Sequence, residues 1–113
     1  MNYILGGGGF ASRLTQELRE GKGYTYGINS SFSGTRSAGS FLIASGVRSN
    51  VTLESLQLVK KILSDFATTY SEDDLATTKS FLIKSNARAF ETASAKLGML
   101  DNIAEYGWKP SYV

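Results

Sequence analysis

The chain has 113 residues, 42% of them hydrophobic and 19% charged, with a net charge of +2; this is one globular domain at most, with material for a real core, and neither a nucleic-acid footprint nor a disordered tail is indicated. It contains neither histidine nor cysteine, which excludes disulfides, thiolate nucleophiles, a Ser-His-Asp triad and any imidazole or thiolate metal site within it. No apolar run approaches the roughly 20 residues that span a bilayer, and Met1–Leu5 is too short and lacks the basic start of a signal peptide.

Along the chain, Met1–Leu5 is readable as the end of an earlier helix. Gly6–Gly9 then permits a sharp turn or a close backbone approach. From Phe10 to Glu20, the residues Phe10, Leu14 and Leu18 recur at helical spacing, and Gly21 is placed to end the helix in the left-handed conformation. Tyr24–Phe32 alternates, which predicts a strand with Tyr24, Tyr26, Ile28, Ser30 and Phe32 on one face. After the turn Gly34–Gly39, Ser40–Val47 reads as a second strand of an antiparallel hairpin, with Phe41, Ile43 and Val47 on one side. Leu42 and Ala44 make its other side apolar too, the pattern of an interior strand.

Arg48–Val51 is a connector. Thr52 is placed to cap a long helix with a core stripe of Leu53, Leu56, Val59, Leu63 and Phe66. Ser71-Glu72-Asp73-Asp74 has the form of a capping box opening a further helix, which carries Leu75, Phe81 and Leu82 to about Arg88. Thr92 opens a last helix through Leu97, Leu100 and Ile103, ending at Gly107 before Trp108 and Pro110. The order is helix, two strands, three helices. An α+β fold follows, with an antiparallel sheet and helices packed on one face. Since a two-stranded sheet alone is marginal in water and the second strand has interior patterning, we expect 1–113 to be a partial domain, the C-terminal portion of a larger one, or to cover its open sheet edge by self-association.

Few motifs carry chemistry. The glycine run is not a phosphate loop, because no Lys-Ser or Lys-Thr follows at the required spacing. It is not a dinucleotide fingerprint either, because Ala11 stands where the third glycine belongs. Glu72-Asp73-Asp74 is read as a capped helix start rather than a cation loop, and Lys60-Lys61 as a solvated helix face. Asn29-Ser30-Ser31 and Asn50-Val51-Thr52 fit a glycosylation pattern that is common by chance. Arg19 and Tyr26 are the remaining pair. Both suit their elements on structural grounds alone, a cation in the last helical turn and an aromatic in a strand. Two glycine turns also reverse the chain between them and bring a guanidinium and a phenol toward one cleft. Both groups can donate hydrogen bonds to carbonyls or to a developing oxyanion.

The segments SRL (Ser12–Leu14), LRE (Leu18–Glu20) and GYTYG (Gly23–Gly27), followed by GSFLIASGVRSNVTLESL (Gly39–Leu56) and more loosely by residues to about Phe90, have a specific order and spacing. In that order they resemble the second, non-metal-binding domain of the pitrilysin/insulinase zinc-metallopeptidase family. The resemblance implies a truncated domain of the pitrilysin and processing-peptidase type of metallohydrolase. It implies a parent that is a two-halved clamshell hydrolysing peptide bonds. Arg19 and Tyr26 fall on that family's substrate-binding Arg and Tyr, whereas Tyr24 is read as packing. The family's inverted His-x-x-Glu-His motif and distant Glu, which hold zinc and activate water, lie in a separate N-terminal domain. Glu17, Glu20 and Glu54 have no imidazole partners here, so no catalytic residue and no metal ligand is carried over. The zinc is expected in the parent's N-terminal domain, and the expected partners are a peptide substrate and that missing half or a partner subunit. The other reading within the family is a non-catalytic structural or peptide-presenting subunit. The compartment stays open, with a bacterial periplasmic or secreted setting favoured.

Overall fold

In the computed structural model, which describes residues 1–109 and 111, an N-terminal helical stretch precedes two strands and three α-helices. The strands are β1 (Thr25–Gly34) and β2 (Gly39–Val47), and the helices are α1 (Thr52–Thr69), α2 (Glu72–Asn86) and α3 (Ala93–Tyr106). Two compact units divide the chain, Met1–Thr78 and Lys79–Val113.

The first unit is an antiparallel hairpin with helices on its inner face. Its core is Ile4, Leu5, Leu14, Leu18, Ile28 and Phe66, with Ile43, Leu58, Val59 and Ile62 packed against them. Leu14 and Leu18 are 0% exposed, and burying such a side chain contributes about 1.5–3 kcal/mol. Phe10, expected on their face, lies instead in the separate turn Gly9–Ala11 and is exposed. The run of glycines serves close approach at Gly6, where a Cβ would meet Ser30 Oγ and come within 2.8 Å of Leu14 Cδ1. This lets Tyr3–Gly7 lie against β1, where Asn2 Nδ2 donates to the Ser30 carbonyl at 2.9 Å and Ser30 Oγ donates to Asn2 Oδ1 at 2.5 Å.

The hairpin pairs Ile28 with Ser45, Ser30 with Ile43 and Phe32 with Phe41. The Phe32 and Phe41 rings are 4.7 Å apart. Among the described residues β2 pairs with β1 alone, and Leu42, on the face that suggested an interior strand, is exposed.

The buried face of α1 is rotated from the expected stripe. Ser55, Leu58, Val59, Ile62 and Phe66 turn inward, while Leu53, Leu56 and Leu63 are exposed. Both sets have helical spacing, and the inward one is selected by what the hairpin offers, Ile28 and Ile43. Thr52 does not cap this helix: Val51 holds the N-cap position, and the Thr52 hydroxyl donates back to the Ser49 carbonyl at 3.1 Å.

The capping box at α2 forms as the sequence predicts. Ser71 N–H donates to Asp74 Oδ2 at 3.0 Å, and Asp74 N–H donates to Ser71 Oγ at 3.2 Å. Arg13 adds a clamp. Its guanidinium donates to the Thr69 hydroxyl, to the Thr69 carbonyl at 2.7 Å and to Asp74 Oδ2 at 2.6 Å, while lying 5.0 Å from the Phe66 ring centre. The Ser71 backbone bond above all, helped by the Ser71 hydroxyl and by Arg13, holds the Asp74 carboxyl below its ordinary value of 3.8 against the opposing effect of desolvation.

In the second unit, Thr92 Oγ1 accepts from Ala95 N–H at 3.1 Å at the start of α3. Gly107 closes that helix in the left-handed region at φ 65°, as expected. Pro110, expected just beyond it, lies outside the described residues.

Two outcomes follow from this packing. Leu18→Ala should cost about 2–5 kcal/mol in denaturant unfolding, whereas Leu53→Ala on the exposed side of α1 should fall within about 0.5 kcal/mol. Equal losses at the two positions would mean that α1 packs by the other stripe. Because the folded pKa of Asp74 is depressed, its contribution is complete above the unfolded value and is lost as pH falls through the folded one. The melting-temperature difference between wild type and Asp74→Asn should therefore be constant near neutrality and shrink below about pH 4. A difference that persists undiminished in stronger acid would contradict this.

Candidate functional site

Arg19 is delivered by a short helix that starts in the α conformation at Arg13 and widens into a π-helix over Thr15–Gly21. Such widened turns are rare and often sit at functional sites. The widening carries the helix past Gly21, where the left-handed residue was expected. Lys22 N–H reaches the Glu17 carbonyl and Gly23 N–H the Arg19 carbonyl, both at 3.0 Å, and Tyr24 N–H closes on the Leu18 carbonyl at 2.9 Å. Gly23, at φ 62°, makes the reversal. Arg19 is half-buried; its guanidinium carbon lies 4.6 Å from the Phe10 ring centre and its Nε 3.4 Å from Glu20 Oε1. The exposed Phe10 and the neighbouring carboxylate thus limit where this cation can swing.

Tyr26 is delivered by β1, but not on the predicted face. Thr25 pairs with Val47 and Ile28 with Ser45, so two residues, Tyr26 and Gly27, stand opposite the single Gly46. This is a β-bulge, which bends a strand and re-aims its side chains. Thr25 and Ile28 are both buried, whereas Tyr26 is 96% exposed. The expectation that Tyr26 shares the face of Ile28 and Ser30 is therefore corrected, because the extra residue breaks the two-residue period.

Arg19 and Tyr26 line one open concavity of about 630 Å³, whose walls also include Glu20, Tyr24, Gly46 and Arg48. Arg48, read from the sequence as part of a connector, was missed. Its signal was the hairpin itself: pairing of Thr25 with Val47 brings the residue after Val47 beside the start of β1. Arg48 Nη2 donates to the Gly23 carbonyl at 3.2 Å, joining the second strand's end to the turn. The cleft therefore offers two guanidiniums, the phenols of Tyr24 and Tyr26, and one carboxylate that is engaged by Arg19. That set can donate hydrogen bonds to carbonyl or anionic oxygens.

A family model described as the peptidase M16 inactive domain matches residues 1–82. The chain belongs to that family. Among solved structures, it is similar to the crystal structure of a peptidase M16 inactive domain from Pseudomonas fluorescens, with a TM-score of 0.83 and 32% identity over 98% of this chain. The match spans 26% of that protein's chain. No curated protein matches. The M16 assignment agrees with the resemblance carried by Ser12–Leu14, Leu18–Glu20 and Gly23–Gly27, and the M16 neighbour shares the α+β architecture.

The two glycines at the end of the short helix separate the observed M16 geometry from the one expected. Gly23→Ala places a Cβ in the left-handed region and should cost about 1–2 kcal/mol. Gly21→Ala, inside the helix, needs no left-handed φ and meets only the Gln16 carbonyl oxygen, 3.2 Å from its Cβ, so it should cost less than Gly23→Ala. The reverse order in urea denaturation would move the turn back to Gly21.

Proposed function

We propose that the chain is the substrate-binding, non-zinc-binding part of a zinc-dependent peptidase. Arg19 and Tyr26 donate hydrogen bonds to the backbone carbonyls of a peptide and to the oxyanion of the tetrahedral intermediate. The reading is supported by one observation above others: two donors from different elements face the same open cleft in a chain of the M16 family.

The residues present do not fit zinc. The sequence has no His or Cys, and among the described residues no group of three or more His, Cys, Asp or Glu could hold a metal ion. In this reading the metal belongs to an N-terminal half of the parent protein or to a partner subunit, and the chain contributes position and charge. The Arg19 guanidinium presents a rigid fork of donors. Tyr26 adds a phenol donor from β1. Donors held in place before reaction act where negative charge grows, and each is worth about 3 kcal/mol. The partners under this reading are a peptide and the zinc-binding half or a partner subunit, with self-association through the open sheet edge as the alternative cover for that edge.

In the parent protein, Tyr26→Phe should lower kcat by about 10²–10³-fold with the melting temperature unchanged, since the ring remains and only the hydroxyl is lost. Arg19→Met should do the same. Unchanged turnover in both variants would instead favour a non-catalytic, peptide-presenting or structural subunit. Purified alone, the chain should retain no stoichiometric zinc and cleave no peptide; metal-dependent hydrolysis by it would overturn the assignment.

A further inference from the structure

The bulge that turns Tyr26 outward is held by side chains rather than by the strand ladder. Thr25 is buried, and its Oγ1 lies at the centre of the irregularity. Gly27 N–H donates to it at 3.1 Å, and it lies 2.7 Å from the Gly46 carbonyl and 2.8 Å from the Gly27 carbonyl. Ser45 Oγ lies 2.9 Å from Thr25 Oγ1 and 3.0 Å from the Gly27 carbonyl. One hydroxyl carries one proton, and the arrangement closes on that count. Thr25 donates to Gly46 O, Ser45 donates to Gly27 O, and Gly27 N–H donates to Thr25. The Gly27 N–H, the Gly27 carbonyl and the Gly46 carbonyl thus each have a side-chain partner, in keeping with the need of backbone polar groups to be paired.

The alternative register shows what this clasp does. Continued without a bulge, the pairing of Ile28 with Ser45 would set Gly27 opposite Gly46 and Tyr26 opposite Val47. Two-residue periodicity would then put Tyr26 on the inner face with Ile28 and Ser30, which are buried. The phenol would leave the cleft.

We infer that Thr25, together with Ser45, is a positioning residue that locks the β1 bulge and thereby aims Tyr26 into the cleft. The inference rests on the proposed function only for the use made of Tyr26; the clasp itself is a matter of register.

The test uses the full 113-residue chain and three variants, Thr25→Val, Thr25→Ser and Ser45→Ala. Valine keeps the branched shape and removes the hydroxyl, and serine keeps the hydroxyl. Photochemically induced nuclear polarisation reports whether the Tyr26 ring is open to a dye in solution, and cross-strand nuclear Overhauser contacts report the register. Wild type and Thr25→Ser should show a polarised Tyr26 and contacts between the side chain at position 25 and Val47. Thr25→Val should lose the Tyr26 signal and gain contacts between Tyr26 and Val47. Should Thr25→Val fail to fold, Ser45→Ala supplies the same readout, with a weakened Tyr26 signal expected. A Tyr26 that stays polarised with unchanged pairing in the hydroxyl-deficient variants would overturn the inference, because a threonine that only stabilised the sheet would lower the melting temperature without moving the ring. Unchanged kcat in Tyr26→Phe would end the catalytic reading while leaving this outcome to decide the clasp by itself.

Discussion

Every feature of the cleft depends on two buried anchors that flank one reversal of the chain. Leu18 is fully buried next to Arg19, and Ile28 is buried two residues beyond Tyr26. Both belong to the same core. Once that core forms, the nine residues between the anchors have little freedom. They must leave a helix, reverse and enter a strand within a span fixed at both ends. Gly23 supplies the reversal in the left-handed region, and the guanidinium of Arg48 ties the turn to the far strand. Core packing therefore fixes the backbone on which the cleft's donors are mounted. This is the support that a preorganised site needs, because groups on well-packed elements hold their geometry without reorganising at the moment of reaction.

The element order was legible because it depends on local signals: the period of Leu14 and Leu18, the alternation of Ile28 and Ser30, the Ser71–Asp74 box, and the Thr92 and Gly107 caps. The errors fall where a non-local choice decided the outcome. On α1, two apolar stripes compete at similar spacing, and only the presence of Ile28 and Ile43 on the hairpin selects Leu58, Val59, Ile62 and Phe66. At the short helix, the shift from four- to five-residue bonding moved the stop from Gly21 to Gly23. Helix periodicity carries no trace of such a change.

The bulge is the most instructive of these departures. Strict alternation puts Tyr24, Tyr26 and Ile28 on one face, and nothing in that pattern marks an inserted residue. The signal lay in residue types: a threonine before Tyr26, glycine after it, and Ser45-Gly46 across the hairpin. Small residues and hydroxyls are the means by which a strand accommodates two residues against one. The Arg19–Tyr26 pair was singled out by motif, while the face of Tyr26 was misassigned by periodicity. Those two readings conflict in the sequence. They are reconciled only by an irregularity that removes the tyrosine from the core face.

That conflict bears on why the chain tolerates an exposed aromatic at Tyr26. A tyrosine buried on the inner face would add apolar burial to a small core and would need a partner for its hydroxyl. The structure instead leaves it almost wholly in solvent and uses Thr25, Ser45, Gly27 and Gly46 to hold it there. Local consistency is given up at one point and satisfied by side-chain hydrogen bonds around it, and departures of this kind concentrate at functional sites. Arg19 repeats the pattern. Its guanidinium is kept at the cleft by an exposed Phe10 and by Glu20, neither of which belongs to the core. A helix end and a strand built for stability alone would need neither the exposed phenylalanine nor the bulge.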